Sequence, residues 1–271
     1  MNSDLIYDWN KPPGINQALL NDETLRDGLQ SPSVRDPSIE QKTEILHLME
    51  SLGINSLNLG LPGAGTRAVE HVEALAREIV ADKMKIRANC AARTHENDIR
   101  PIADIVQRTG LNIEAATFIG SSPIRRHTEG WTEDFLLETT EKAIKFVVSL
   151  GLDSMYVTED TTRCDPAMIK RLYSTAIECG ARSIVVCDTA GHSTPAGAFA
   201  LIKFILDEVV KPSGERENIR VDWHGHNDRG LAVANSFAAL AGGADCVHAS
   251  ALGTGERVGN TPMDQMLVNL R

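Results

Sequence analysis

Residues 183–191 read Ser183-Ile184-Val185-Val186-Cys187-Asp188-Thr189-Ala190-Gly191, a short apolar run that ends in a polar, glycine-containing turn. A run this short, rich in Val and Ile and not strictly alternating, has the pattern of a parallel strand buried on both faces. The same phrase recurs along the chain. Apolar runs lie near 18–22, 55–60, 86–91, 113–119, 153–158, 220–224 and 244–249, separated by turns and amphipathic segments. Strands alternating with helices predict a closed barrel or a doubly wound sheet, and a total of eight favours the barrel. The expected architecture is α/β: one (β/α)8 TIM barrel over residues 18–271, preceded by an N-terminal extension over 1–17.

Helical punctuation supports this division. Asp36-Pro37 and Asp165-Pro166 each read as an N-cap followed by proline at the first helical position. Ile45, Leu48, Met49 and Leu52 are expected to share one face, with Gly53 just past the helix end. Val69, Val72, Leu75 and Ile79 form a second stripe, and Ile144, Val147 and Val148 a third after Trp131-Thr132-Glu133. After the last strand only a short helical stretch precedes Arg271, so the closing helix is expected to be cut short.

Composition narrows the function. A net charge of −10 argues against a phosphate backbone as partner. No apolar run approaches the ~20 residues of a membrane span, and residues 1–17 lack the basic-then-apolar order of a signal peptide. Five scattered cysteines with no C-x-x-C pair read as reduced, mostly buried thiols. A cytoplasmic protein acting on small molecules is the expectation.

Residues able to do chemistry gather where strands end. In Trp223-His224-Gly225-His226-Asn227-Asp228, two histidines at i and i+2 on a strand face the same way, and at the carboxyl end of a barrel strand that way is the active-site mouth. They could share one metal ion, or be core histidines with backbone partners; the pairing at a strand end favours the ion. The first strand ends in Asn21-Asp22-Glu23-Thr24-Leu25-Arg26-Asp27-Gly28-Leu29-Gln30, two strands away around a closed barrel. Asp27 can therefore complete a facial two-histidine, one-carboxylate set, and Arg26 is a fixed cation suited to an enolate or thioester oxyanion. After the eighth strand, Gly253-Thr254-Gly255-Glu256-Arg257-Val258-Gly259-Asn260 could cradle an anion, with Asn260 adding an oxygen ligand and Glu256 and Arg257 bracing the turn. Other strand ends offer Arg93, Ser121-Ser122, Glu159-Asp160 and Asp188-Thr189, with Glu159 as acid/base or orienting partner for Arg26 and Thr189 as a carboxylate contact.

These motifs resemble the DRE-TIM metallolyase superfamily, and within it the Claisen-condensing branch of 2-isopropylmalate, homocitrate and citramalate synthases. The carriers are Thr24 to Gln30, Asp188-Thr189-Ala190-Gly191 with Thr194-Pro195, His224 to Asp228 with Gly230-Leu231-Ala232-Val233-Ala234-Asn235, and Gly253 to Asn260. The resemblance implies Asp27, His224 and His226 as ligands of a divalent metal (Zn, Mn, Mg or Co), with Asn260 nearby. It implies acetyl-CoA as co-substrate, Arg26 polarising the acyl-thioester or enolate oxygen, and Glu159 near the reacting carbons. Thr189 is then expected to contact a 2-oxo acid, joined by Gln30, Asn58, Arg93 and Arg125 as substrate-binding residues. A homodimer active in amino-acid biosynthesis is the family-level expectation.

Three departures from the resemblance bear on substrate choice. Asn58 stands where such synthases usually carry glutamate, and Arg125 where isopropylmalate synthases usually carry histidine. One change removes a negative charge and the other adds a positive one. The C-terminal subdomains of the synthases have no counterpart in this sequence. Alternatives are a 3-hydroxy-3-methylglutaryl-CoA lyase-like reaction, aldolase or carboxytransferase chemistry on the same barrel, and a silent metal- and oxo-acid-binding barrel. Such lyases place a cysteine in the loop after strand eight, and Ala251 to Arg257 contains none, which favours condensation.

Overall fold

The computed structural model describes residue 15 and residues 18–270. The expected extension over 1–17 and the terminal Arg271 therefore lie, apart from residue 15, outside the described residues. Eight parallel strands follow the order of the sequence: β1 Leu19–Asp22, β2 Ser56–Asn58, β3 Arg87–Arg93, β4 Ile113–Gly120, β5 Ser154–Glu159, β6 Ser183–Asp188, β7 Arg220–Gly225 and β8 Cys246–Ala249. Each pairs with its sequence neighbours, and β1 also pairs with β8 in the register Asn21 to His248, which closes the barrel. The expected (β/α)8 TIM barrel is the observed fold.

The helices run α1 Ile39–Ser51, α2 Thr66–Ala81, α3 Glu96–Thr109, α4 Pro123–Glu129, α5 Glu133–Ser149, α6 Pro166–Glu178 and α7 Pro195–Ile205. After a π-turn over Leu206–Val210 come α8 Lys211–Ser213, α9 Ala232–Gly242 and α10 Met263–Asn269. Many start on a hydroxyl or carboxylate that accepts from an otherwise unpaired N–H of the first turn. Thr132 accepts from Phe135, Asp165 from Met168 and Thr194 from Gly197. The Asp165-Pro166 start is as expected.

The first helix differs from its expectation. Its N-cap is Ser38, not Asp36, because Ser38 and Gln41 form a reciprocal capping box. Asp36 is drawn instead into ion pairs with Lys42 (2.8 Å) and Arg67 (2.7 Å). Lys42, Leu46 and Met49 are the buried positions of α1, while Leu48 and Leu52 are 57% and 60% exposed. In α5, Ile144 and Val147 are buried as expected, whereas Val148 is exposed. The period was legible in both helices, but rotation about the axis follows from which side meets the strands.

The main core lies between the barrel wall and the helices, with Leu57, Leu75, Ile99, Ile105, Leu136, Ile144 and Trp223 among its fully covered side chains. The five cysteines are free thiols, three of them buried. Among the described residues no helix is long and apolar enough to cross a membrane.

Candidate active site

Inward-facing positions at the carboxyl ends of the strands enclose a cavity of about 190 Å³. His224, on β7, lines it, and His226 lies just beyond the strand end. The two Nε2 atoms are 3.3 Å apart. Asp27 approaches from the loop after β1, with Oδ2 at 3.2 Å from His224 Nε2 and 3.7 Å from His226 Nε2. Asn260 closes the fourth side, its Nδ2 donating to Asp27 Oδ2 at 2.9 Å. All four residues are buried.

The loop from Gly253 to Asn260 brings Asn260 there by folding back on itself. Asn260 N–H donates to the Gly253 carbonyl, Asn227 N–H donates to that of Gly259, and Asn260 bridges His226 in antiparallel fashion. Gly259 has φ +99°, and a Cβ there would stand directly against the Gly253 carbonyl, so only glycine closes this turn. Arg257 braces the loop through Asp228 (2.8 Å) and the Thr189 carbonyl. Glu256 turns into the cavity, a lining position beyond the brace read from sequence.

The donor set suits a divalent cation. Three ligand atoms from Asp27, His224 and His226 lie within 4.8 Å of one another. Asn260 Oδ1 is buried with no hydrogen-bond partner among the described residues, an arrangement costly in an apolar interior unless a ligand compensates it. Burial, helped by the neighbouring His224, lowers the His226 imidazole to about 3 and keeps it neutral, as a ligand must be. Burial alone would raise the Asp27 carboxyl, but Arg26 and His224 outweigh it and hold it well below the usual carboxylate range.

Arg26 is fixed from beneath. Glu23 Oε2 accepts from its Nε at 2.9 Å and pairs with NH2 at 2.7 Å, while NH1 lies 3.4 Å from Asp27 Oδ1. Glu23 is buried and also meets His248 Nδ1 at 3.1 Å. The other ring nitrogen of His248 meets Asp222 at 3.1 Å, so both nitrogens face carboxylates and both donate. Burial would lower this imidazole; the hydrogen bonds to Asp222 and Glu23 raise it to about 9. Sequence reading singled out neither Glu23 nor His248. His248 stands alone in a strand with no motif around it, and Glu23 is one of three acids in its turn.

The remaining candidates separate into two places. Gln30, Asn58, Glu159 and Thr189 line the cavity with Arg26 and Asp27. Burial raises the Glu159 carboxyl, with Arg125 opposing and Glu256 reinforcing the shift. Its ion-pair contact is with Arg125 Nε at 3.9 Å, and among the described residues it makes none with Arg26. Thr189 accepts from the Asp160 N–H at 2.9 Å. Arg93 and Arg125 instead line a larger adjoining cavity of about 650 Å³, which meets the first at Phe118 and Glu159. Arg93 is held there by Asp98 (2.6 and 2.8 Å), and the Arg125 guanidinium lies 5.8 Å over the Trp131 ring. Ser121 and Ser122 are buried in the wall; Ser121 donates to the Glu159 carbonyl and Ser122 caps α4.

An eight-stranded parallel barrel carrying this Asp-His-His-Asn group at its carboxyl rim defines the class: a DRE-TIM barrel. Residues 17–271 match the HMGL-like family, and the chain belongs to it. It is 35% identical over 256 residues to a 2-isopropylmalate synthase of Heliobacterium modesticaldum, covering 94% of this chain and 48% of that one. A homocitrate synthase, AksA, of Methanopyrus kandleri is 31% identical over 258 residues, covering 94% and 60%. The chain thus spans about half the length of the synthases it most resembles among these. In structure it is similar to the HMG-CoA lyase of Bacillus subtilis, with TM-score 0.75 at 19% identity over 94% of this chain and 85% of that one. The carboxyl transferase domain of Rhizobium etli pyruvate carboxylase shares the fold at TM-score 0.71 and 16% identity, over 95% of this chain and 44% of that one. By sequence the chain is thus similar to synthases, and by fold to a lyase and a carboxyl transferase domain.

Proposed function

We propose that the chain carries the barrel of an acyl-CoA:2-oxo acid C-acyltransferase, which condenses acetyl-CoA with a small 2-oxo acid. The observation that carries this reading is the placement of Arg26 beside the Asp27-His224-His226 set in one small cavity, with Glu159 in the same wall. A divalent cation held by Asp27, His224 and His226, with Asn260 beside them, would supply Lewis acidity to the carbonyl of the oxo acid. Gln30, Asn58 and Thr189 border the space where the acid's polar groups would lie. A cavity near 190 Å³ suits a small acid and excludes most of a coenzyme A. The adjoining cavity of about 650 Å³, with Arg125 and the Trp131 ring in its wall, is the larger space beside it and is where the acyl donor would lie.

In this reading Glu159 takes a proton from the methyl carbon of the acyl thioester while Arg26 donates to the developing enolate oxygen. The enolate carbon forms a bond to the keto carbon, the C=O π pair moves onto its oxygen, and that oxygen takes a proton from water to become the hydroxyl of the product. Water then cleaves the thioester and coenzyme A leaves as the thiol. Asn58 and Arg125 together shift charge toward the positive relative to the synthases named above. We take this to favour a more anionic oxo acid, or a different acyl donor, than the 2-oxoisovalerate reaction uses. Cleavage in the lyase direction is the second reading; the cysteine-free loop from Ala251 to Arg257 favours condensation.

The test is free thiol release from acetyl-CoA over a panel of 2-oxo acids with metal-loaded protein and an Asp27→Ala control. Release that requires one acid, the metal and Asp27 supports the reading and names the substrate. Turnover of 2-oxoisovalerate alone would sink the charge argument. No release with any acid, while oxo acids still bind in a metal-dependent way, would favour the lyase or a silent barrel.

A further inference from the structure

The barrel interior holds an apolar cluster over a polar floor. Ala116 on β4, Met155 on β5, and Val185 and Cys187 on β6 close an apolar cluster on one side. Beneath it, at Glu114 of β4 and Ser183 of β6, and up through β7, β8 and the loop after β1, the interior is polar and hydrogen-bonded from floor to rim. Ser183 Oγ donates to Glu114, whose other oxygen accepts from Arg220 NH2 at 3.1 Å. Arg220 Nε donates to Asp222 at 2.9 Å, and Asp222 accepts from His248, which donates in turn to Glu23. Glu23 finally holds Arg26.

We propose that Arg220, Asp222 and His248 are positioning residues for Arg26, forming a column inside the barrel that clamps Glu23 and so fixes the guanidinium at the rim. Glu23 shows how complete the clamp is. Its Oε1 meets donors from Asn21 (2.9 Å) and His248, and its Oε2 meets two nitrogens of Arg26. Four nitrogens from three side chains thus surround the buried carboxylate. Asp222 is similarly held between Arg220 and His248 and is fully buried. Buried ion pairs of this kind add little stability over well-packed apolar residues. The apolar cluster in the same barrel shows that part of the interior is filled without them. What the column adds is a single orientation for a cation whose usefulness depends on where its N–H groups point.

The meaning of Arg26 rests on the function proposed above, so the test separates the two. Metal-free protein labelled with ¹⁵N-arginine reports the Arg26 Nε–H directly, its signal assigned by loss in Arg26→Lys. Exchange of that proton with water is compared in wild type, His248→Gln, Arg220→Gln and Arg220→Lys. The expected result is at least ~tenfold faster exchange in His248→Gln and Arg220→Gln, with Arg220→Lys recovering much of the protection, in line with the effect of supporting residues at other sites. With the metal-loaded enzyme, kcat falls ~tenfold or more in the same two variants while KM for the oxo acid and Mn²⁺ affinity move less than ~threefold. Arg220 lies at the floor and is 15% exposed, so its variants decide the matter if His248→Gln fails to fold. Unchanged exchange together with unchanged kcat in folded variants would overturn the column. Faster exchange in a protein whose wild type releases no thiol would keep the column and reject the proposed reaction.

Discussion

Asn260 donates from Nδ2 to Asp27 Oδ2 at 2.9 Å across 233 positions of sequence, and its own Oδ1 is buried without a partner among the described residues. The contact joins the loops after β1 and β8 at the point where two histidines converge. It depends on Gly255, where a Cβ would stand 2.9 Å from the Asn260 amide. Gly255→Ala should therefore displace Asn260 without altering any ligand. We expect divalent metal affinity to fall by about tenfold, the scale of supporting-residue effects at metal sites. Titration with Mn²⁺ checks this, and an unchanged Kd would remove Asn260 from the metal-binding group.

Glu159 is the cavity carboxylate that burial raises. Glu159→Gln keeps its shape and removes its proton chemistry. The expected outcome is a loss of 10² to 10⁴ in kcat, roughly the worth of a general acid or base, with a much smaller change in KM. Steady-state thiol release measures both, and a loss below tenfold would exclude Glu159 from proton transfer.

Tyr173 ties α6 to the barrel wall. Its hydroxyl is buried, donates to the Val185 carbonyl at 2.8 Å and lies 2.7 Å from Thr158 Oγ1. Tyr173→Phe removes both contacts from a buried site, and a loss of about 0.5–1.5 kcal/mol is expected. Urea denaturation reads it, and a change within error would mean the wall repacks around the lost hydroxyl.

Asp22 gives a pH signature. Burial raises its carboxyl from 3.8 to about 6, against hydrogen bonds from Thr24. Below pH 3.8 the group is protonated in both states and contributes nothing. As pH rises toward 6 the unfolded chain releases the proton first, so stability falls, and the cost persists above that. Asp22→Asn retains an oxygen for the Thr24 N–H (2.7 Å) and removes the charge. It should be more stable at pH 7 by roughly 2–3 kcal/mol, a gain that shrinks toward pH 4. Urea midpoints across that range would show it, and a constant difference would refute it.

Strand placement was legible because a buried parallel strand must be apolar on both faces and must end where polar turn residues begin, as Ser183 to Gly191 does. All eight runs became strands, and their number, which favoured a barrel, agrees with the closure of β1 on β8. The rim group was legible for a related reason. His224 and His226 sit two apart, and a short polar turn after β1 holds Asp27, so local spacing already aimed the side chains.

Other features had no local signature. Leu48 and Leu52 fit a helical stripe, yet the side of α1 that meets the strands belongs to Lys42, Leu46 and Met49, and only packing sets that rotation. Arg93 ends β3 and Arg125 lies in the first turn of α4, near the rim as cavity residues should, but Asp98 and Trp131 flank them in the neighbouring space. His248, Asp222 and Glu23 lie on β8, on β7 and just past the end of β1, and become one column only when those strands close side by side. Periodicity and turn chemistry determine which segments become strands and where their ends fall, because both act within a few residues. Which buried charges meet, and which cation is thereby fixed, is decided by strand neighbours far apart in sequence, where burial makes an unpaired charge too costly to leave.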